Sequence, residues 1–236
     1  MKLTVRKSRL AGAVDIPGSK SHTIRAVAMA AMAKGESVIR APLHSNDTKA
    51  AFAAFRALGA EIDDRGETWR VRGVGGRPSA PTETIDVLNS GTTLRIAMGA
   101  CALLRDGSAT LTGDHQIQRR PAAALGNSLV DLGAKVRFPH GNGCAPVEIS
   151  GVLRGGVTTI EAVSSQYLTS LLMACPLAEG DSTIDVPLLN ERPYVEMTLD
   201  WLERQGVRVE YADDFRQFRV PGGQVFAAVD RRIPAD

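Results

Sequence analysis

Long apolar runs, disulfide-forming cysteine patterns and an excess of one charge are all missing from this 236-residue chain. No apolar run reaches the ~18 residues that a membrane span needs, and residues 1–10 carry charges where a signal peptide would have its apolar core. Three cysteines, Cys101, Cys144 and Cys175, show neither CxxC nor metal-ligand spacing. We therefore expect a cytoplasmic protein with reduced thiols, no metal site and no membrane partner.

Charge and aromatic content argue against a nucleic-acid partner. Lys and Arg number 28 against 26 Asp and Glu, which leaves a net charge of +2, and aromatic residues make up only 5%. A protein that binds a phosphate backbone usually carries a strong basic excess. The 44% hydrophobic residues suffice for a sizeable core. We expect a folded protein in which any anion site is local.

Two series of glycines indicate an internal repeat. Each segment of the first series, AMAKGESVI, LLRDGSATL and PLAEGDSTI, ends a helical pattern with a glycine and begins a β-branched run. Within both series the glycines are 72 to 74 residues apart, namely Gly35, Gly107 and Gly180, and then Gly59, Gly133 and Gly206. This spacing predicts three copies of a unit built as helix, strand, helix, strand, strand.

The first unit shows the pattern in detail. It is predicted to contain a helix over 21–34, a strand over 37–40, a helix over 47–58 and a strand pair over 60–62 and 69–72. We expect Gly35 to be the left-handed C-cap of the first helix and Asp47 to cap the second. The first helix of every unit is apolar nearly all round, which predicts buried helices with the strands outside.

The buried helices begin in segments rich in small polar residues, PGSKS, LNSGTT and VSSQ. A helix start exposes backbone N–H groups and a partial positive charge, so these residues could cap the helix or bind an anion. Capping alone explains any one of them. Repeated units packed about a common axis would bring all three starts to one end of the domain, which predicts one concave site rich in donors.

Cations accompany these helix starts. Lys20 precedes the first buried helix, and Arg25 interrupts that helix near its first turn, where a buried guanidinium needs a partner such as a phosphate or carboxylate. Pro121 and Pro193 fit the first turn of the second helices of units two and three. The neighbouring pair Arg119 and Arg120 is compatible with either a surface position or the site.

Five motifs together resemble one known family. PGSKSHTIRA, LNSGTTLR, QRRP, VSSQYLTSLLM and RPYVEMTL occur in the order and approximate spacing of EPSP (5-enolpyruvylshikimate-3-phosphate) synthase motifs. The similarity covers essentially the whole chain. The related UDP-N-acetylglucosamine enolpyruvyl transferases normally carry a GAKN-type motif where this chain has GSKS, so they match less well.

The resemblance implies an α/β (α+β) fold. Each of two domains would hold three βαβαββ repeats about a pseudo-threefold axis, with buried helices and the sheets outside. This chain would supply one domain over 17–225. Its repeats would cover about 17–80, 81–155 and 156–225, and crossover segments to the second domain would cover 1–16 and 226–236.

The resemblance also implies a reaction. The enolpyruvyl group of phosphoenolpyruvate would move to the 5-hydroxyl of shikimate 3-phosphate with release of phosphate, and neither a metal nor an organic cofactor is implied. The residues carried over for shikimate 3-phosphate are Lys20, Ser21, Arg25, Ser164, Ser165, Gln166 and Tyr194. Those carried over for phosphoenolpyruvate are Lys20, Gly91, Arg120 and Gln166. Of these, Lys20 would also contribute to catalysis.

Two departures from the family pattern change the expectations. Glu191 stands where the family usually has a phosphate-binding Ser, and because its charge would repel phosphate we place Glu191 outside the site; a shifted register or a compensating Arg192 is an alternative. The family is also nearly twice as long, and its general base belongs to the second domain. We therefore expect this chain to bind without turning over, and to be able to self-associate through exposed strand edges.

Two other function classes fit parts of the pattern. A stand-alone phosphate- or anion-binding module would use the same helix starts with no second domain. An RNA-binding domain is the third alternative, because RNA 3′-phosphate cyclases contain similar repeat folds, although the near-neutral charge and few aromatics oppose it.

Overall fold

The computed structural model describes residues 3–9 and 11–236. The α-helices of this part are α1 Lys20–Met32, α2 Asn46–Ala57, α3 Gly91–Cys101, α4 Ala123–Asp131, α5 Ser165–Ala174 and α6 Arg192–Arg204. The strands are β1 Lys34–Arg40, β2 Glu61–Asp63, β3 Thr68–Val74, β4 Ile85–Asp86, β5 Ser108–Thr112, β6 Lys135–Arg137, β7 Val147–Ser150, β8 Gly156–Ala162, β9 Ser182–Leu189, β10 Glu210–Tyr211, β11 Gln217–Val220 and β12 Asp230–Arg232.

Three four-stranded sheets share one pairing pattern. Their strand orders are β12-β1-β3-β2, β4-β5-β7-β6 and β8-β9-β11-β10. In every sheet the first pair is parallel and the next two pairs are antiparallel. Strands such as β5 alternate between buried and less buried residues, as expected of a sheet with one face on the core. The threefold repeat and the predicted fold class are confirmed.

A strand from late in the chain completes the first sheet. In the other two sheets the parallel partner, β4 or β8, directly precedes a buried helix, whereas the equivalent place beside β1 is filled by β12. The segment before α1 meets the same region. Gly18 bridges to Ala235, and the Ser19 amide donates to the Pro234 carbonyl oxygen at 2.8 Å. The last residues of the chain therefore pair with the first repeat unit, so the three units form a closed arrangement.

Helices α1, α3 and α5 form the centre of this arrangement. Every residue of α3 except Thr92 and every residue of α5 except Gln166 is buried, as is α1 from Thr23 onward. Gly99 lets α3 approach α5 closely, because a Cβ at this position would lie 2.6 Å from the Ser170 hydroxyl oxygen. The prediction of three buried helices inside a shell of sheets is confirmed.

The glycines of the second series lie at the C-terminal ends of the outer helices α2, α4 and α6. Gly59, Gly133 and Gly206 follow these helices with φ of +102°, +108° and +75°. Each donates its amide to a carbonyl of the last turn, which is the left-handed C-terminal geometry that favours glycine. The repeat spacing thus marks equivalent helix ends.

Two predicted caps of the first unit are wrong. Helix α1 ends at Met32, and Gly35 lies inside β1 with φ of +102°, opposite Gly73. The chain turns directly from helix into strand, so no left-handed cap separates them. Ser45 rather than Asp47 caps α2, because its hydroxyl accepts from the Thr48 amide in a reciprocal capping box.

The two prolines have different outcomes. Pro193 lies in the first turn of α6, as predicted. Pro121 does not lie in α4, which begins at Ala123 after a short 3-10 turn over Ile117–Arg119. Arg120, which follows the 3-10 turn, has an extended backbone. The chain therefore forms a loop at the position where we expected the first turn of the helix.

The segments predicted to cross between domains pack differently from each other. Residues 3–9 and 11–16 form no strand and are exposed, and the predicted segment 1–16 also includes Met1, Lys2 and Leu10, which lie outside the described residues. By contrast Phe226 is 0% exposed and lines a small apolar cavity together with residues of the buried helices, among them Met32, Ala100 and Met173. The crossing role, the repeat boundaries and self-association remain predictions.

Replacing Phe226 tests whether the late segment is part of the core. Phe226→Ala should lower the free energy of unfolding by about 3–5 kcal/mol, the usual cost of truncating a buried aromatic. The matched control is Val225→Ala, because Val225 is 54% exposed and its truncation should change stability by less than about 0.5 kcal/mol. Denaturant unfolding followed by circular dichroism measures both. Equal small effects would show that the segment does not belong to the core.

Candidate functional site

A cavity of about 160 Å³ lies at the N-terminal ends of four helices, α1, α3, α5 and α6. Its lining is polar and consists of Lys20, Ser21, Arg25, Thr92, Ser165, Gln166, Glu191 and Tyr194. A larger groove of about 610 Å³ lies between residues 15–18 and the loop after β1, and contains none of the predicted site residues. The helix starts therefore do meet in one concave site.

Six of the nine predicted site residues line this cavity, and they are Lys20, Ser21, Arg25, Ser165, Gln166 and Tyr194. Gly91 and Arg120 lie beside it, since a Cβ on Gly91 would be 3.5 Å from the Gln166 side-chain oxygen and 2.9 Å from Nη1 of Arg120. Ser164 precedes α5 as its N-cap. The nine predicted residues thus belong to one region of the surface.

Capping accounts for part of the polar sequence at these starts. The Ser90 hydroxyl accepts from the Thr93 amide at 3.3 Å, and the Ser164 hydroxyl accepts from the Gln166 amide at 3.4 Å. At α1, by contrast, Ser19 makes no side-chain capping bond among the described residues. The backbone amides in the first turn of α1 are therefore not occupied by a capping side chain and could face a ligand.

Arg25 is a buried cation at the floor of the cavity. Its Nε donates to the Thr198 hydroxyl at 2.8 Å, and its Nη2 donates to the Thr169 hydroxyl and to the Tyr194 carbonyl oxygen, both at 3.1 Å. Its Nη1 donates to the Ser21 carbonyl oxygen at 3.2 Å. Burial lowers the pKa of Arg25 to about 10, so the guanidinium remains charged at neutral pH.

The partners of Arg25 are all uncharged, which leaves its positive charge uncompensated by a carboxylate in these hydrogen bonds. A buried charge without a counter-ion favours binding of an anion nearby. We predicted that the buried guanidinium of Arg25 needs a partner. Hydroxyl and carbonyl oxygens satisfy its hydrogen bonds, but its positive charge still attracts an anion.

A second buried arginine, Arg95, was not predicted as a site residue. It is 4% exposed on α3 and donates to the carbonyl oxygens of Gly91 at 3.2 Å and Pro121 at 2.6 Å. Burial lowers its pKa. By joining the start of α3 to the loop that carries Arg120, Arg95 positions the Gly91 side of the site. Its place in an apolar helix, like that of Arg25, was the available sequence signal.

Glu191 corrects the sequence-based expectation, because it lines the cavity from which we excluded it. The Ser165 hydroxyl donates to its Oε2 at 3.0 Å. Arg192 does not line the cavity; it pairs with Glu196 at 2.9 Å on α6, so it does not compensate the charge of Glu191 there. Thr92 also lines the cavity and was missed, although it lies in the LNSGTT segment.

A packed cluster supports the first turn of α1 from behind. Trp201 on α6 donates its indole N–H to His22 Nδ1 at 3.0 Å. The Arg231 guanidinium of β12 lies 4.0 Å from the centre of the Trp201 ring and donates to Asp200 at 2.7 Å. Helices α1 and α6 and the closing strand are thus fastened together next to the cavity.

Metal binding and nucleophilic cysteines were also considered among the described residues. Across 3–9 and 11–236, no group of three or more His, Cys, Asp or Glu side chains could hold a metal ion. Burial raises the pKa of both Cys101 and Cys175 to about 12, so these thiols are protonated and are not nucleophiles at neutral pH.

No helix in the described part of the chain has the length and apolar character needed to span a bilayer.

Comparison with known proteins identifies the family. The family model described as EPSP synthase (3-phosphoshikimate 1-carboxyvinyltransferase) matches residues 5–236. This chain belongs to the EPSP synthase family. The 3-phosphoshikimate 1-carboxyvinyltransferase of Acetivibrio thermocellus is 46% identical over 236 residues, which is 100% of this chain and 55% of the relative. That of Methanothrix thermoacetophila is 45% identical over 238 residues, again with 100% and 55% covered.

Solved structures give the same result for the fold. EPSP synthase from Acinetobacter baumannii superposes with a TM-score of 0.85 at 26% identity, over 95% of this chain and 50% of that one. The chain spans about half the length of the curated EPSP synthase relatives it matches. The family resemblance stated from the motifs is therefore confirmed, as is the fold of one domain.

The His22–Trp201 contact predicts a pH-dependent stability. Burial, and then the charges of Arg231 and Arg25, lower the pKa of His22. The unfolded chain therefore binds this proton more readily, and the free energy of unfolding should fall as the pH decreases below about 6.5. His22→Asn should remove this part of the pH dependence, whereas His140→Asn at an exposed site should keep it. Urea unfolding between pH 5 and pH 8 tests the difference, and identical slopes for all three proteins would contradict it.

Proposed function

We propose that this chain is the shikimate 3-phosphate-binding domain of an enolpyruvyl transferase. The whole enzyme would move the enolpyruvyl group of phosphoenolpyruvate to the 5-hydroxyl of shikimate 3-phosphate. The observation that carries the proposal is the meeting of four helix starts with Lys20 and Arg25 in one polar cavity. Backbone amides and preorganised cations are the donors that bind phosphate and carboxylate groups most strongly.

Within this proposal the cavity binds shikimate 3-phosphate through two kinds of contact. Lys20 and the hydroxyls of Ser21 and Ser165 line it as cation and donors for an anionic group. Ser164 would assist from the start of α5. Arg25 supplies the buried positive charge, and Gln166 and Tyr194 offer an amide and an aromatic face to a polar ring.

Phosphoenolpyruvate would bind on the Gly91 side of the cavity. Gly91 leaves open the space between Arg120 and Gln166, which a side chain would occupy. Arg120 is exposed and donates to the Asn89 side-chain oxygen at 3.2 Å, so its guanidinium can turn toward a carboxylate or phosphate. Lys20, which also lines the cavity, would contact both substrates.

The groups that would complete the chemistry are expected in the second domain of the family. Enolpyruvyl transfer requires that the attacking hydroxyl lose a proton and that the methylene carbon of phosphoenolpyruvate gain one to become a methyl group. Phosphate must then leave while this methyl group gives up a proton, which restores the carbon–carbon double bond. The carboxylate that lines the described cavity, Glu191, is hydrogen-bonded to Ser165. General acid–base groups typically contribute ~10²–10⁴-fold each, so a domain without them should bind substrate with negligible turnover.

The size of the cavity supports a shared site. Its volume of about 160 Å³ is well below the ~300 Å³ or more of sites that enclose a small molecule. The relatives are nearly twice as long as this chain. We therefore propose that a second domain closes over the helix starts and supplies the catalytic acid and base.

Lys20→Ala tests the binding role of the cavity. Losing a charge-assisted hydrogen bond of ~1.5–3 kcal/mol should weaken binding of shikimate 3-phosphate about 10- to 100-fold. Lys20 pairs with Asp47 at 3.7 Å with both side chains partly exposed, so stability should hardly change. The control is Lys49→Ala, which removes an exposed lysine of α2. Isothermal titration calorimetry measures both variants, and equal affinities would remove Lys20 from the site.

Turnover provides the second test. With shikimate 3-phosphate and phosphoenolpyruvate, the purified chain should release phosphate at the background rate. Joining it to the remaining half of a relative such as that of Acetivibrio thermocellus should restore release. A normal rate from the chain alone would contradict the need for a second domain. Binding without restored activity would favour a stand-alone anion-binding module.

A further inference from the structure

Glu191 has an unusual backbone conformation for its residue type. It immediately precedes α6 with φ of +57° and ψ of +43°, the left-handed region that glycine and asparagine adopt most readily. A glutamate held in this region indicates that the surrounding structure fixes its position. Here Glu191 is exposed, and its position is at the lining of the polar cavity.

The carboxylate of Glu191 does not cap the helix that follows it. Its side chain makes no capping hydrogen bond to α6, and its Oε2 instead accepts from the hydroxyl of Ser165 on α5 at 3.0 Å. Ser165 is 1% exposed, so its hydroxyl has little access to water. A negatively charged group of the protein itself thus occupies one of the donors that the cavity offers.

We propose that Glu191 acts as an internal anion that a phosphorylated ligand must displace from Ser165. This inference rests on the proposed function of the cavity. A phosphate group and the carboxylate would compete for the same hydroxyl and repel each other at short range. A ligand without phosphate meets less of this repulsion. Glu191 would therefore lower the preference of the site for phosphorylated over unphosphorylated ligands.

Neutralising this side chain tests the proposal. Glu191→Gln keeps the size and an accepting oxygen but removes the charge. Binding of shikimate 3-phosphate should become about tenfold tighter, equivalent to ~1.4 kcal/mol, whereas binding of shikimate should change less than about twofold. Isothermal titration calorimetry of both ligands with the wild-type chain and the variant gives the ratio directly.

Two further variants separate charge from other causes. Glu191→Asn also removes the charge but suits the left-handed conformation, so it should show a similar gain in affinity with higher thermal stability. In a Ser165→Ala background, Glu191→Gln should gain less, because the contested hydroxyl is gone. A gain in Glu191→Asn alone would assign the effect to backbone strain and overturn the proposal.

The outcomes distinguish this inference from the function on which it rests. Unchanged or weaker binding of shikimate 3-phosphate by Glu191→Gln, while Lys20→Ala still reduces it, would overturn the role of Glu191 and leave the proposed site intact. Absence of binding by the wild-type chain and by every Glu191 variant would overturn both. If the Glu191 carboxylate had only a structural role, Glu191→Gln would be less stable but would show no change in ligand preference, which would also overturn the proposal.

Discussion

One buried guanidinium holds the parts of the site together. Arg25 lies on α1 and donates hydrogen bonds to Thr169 on α5 and to Thr198 and Tyr194 on α6. Three helix starts are fixed relative to each other by a single cation, and desolvating that cation is tolerable only because hydroxyl and carbonyl oxygens surround it. The same charge makes the cavity attractive to anions. One side chain therefore contributes both to the packing of three helices and to the positive charge of the cavity.

The electrostatics of the site result from local placement and not from net charge. With a net charge of +2, the protein exerts no strong overall attraction on anions. Lys20, Arg25, Arg95 and Arg120 are instead gathered at one end of the fold by the repeat. Glu191 and Asp47 oppose them in part, the first at the cavity lining and the second by pairing with Lys20. The balance of these charges sets the electrostatic potential at this end of the fold.

The sequence predicted those features that depend on periodicity and composition. Glycines 72 to 74 residues apart identified equivalent positions, and helices apolar on all sides could only be buried. Together they located the helix starts, whereas the six predicted residues that line the cavity were carried over from the family motifs. Periodic signals are strong because every copy of the unit repeats them.

Features that depend on one local backbone angle or one tertiary contact were not predictable in this way. Glu191 has a left-handed conformation, and its carboxylate accepts a hydrogen bond from Ser165. Glutamate rarely adopts this conformation, so the sequence alone gives no reason to expect it. Gly35 resembled a helix cap but lies in a strand. Arg95 was visible as a cation in an apolar helix, yet one of its two carbonyl partners, that of Pro121, lies on a loop that only the folded chain brings near.

The closing strand has a consequence for biosynthesis. Ile39 pairs with Arg231, so the first sheet gains its parallel partner only after almost two hundred further residues have been translated. Contacts so distant along the chain form slowly, because a long loop must be ordered before they stabilise anything. While the polypeptide emerges from the ribosome, one edge of β1 would remain without its partner. This edge is where a nascent chain would most need protection from aggregation.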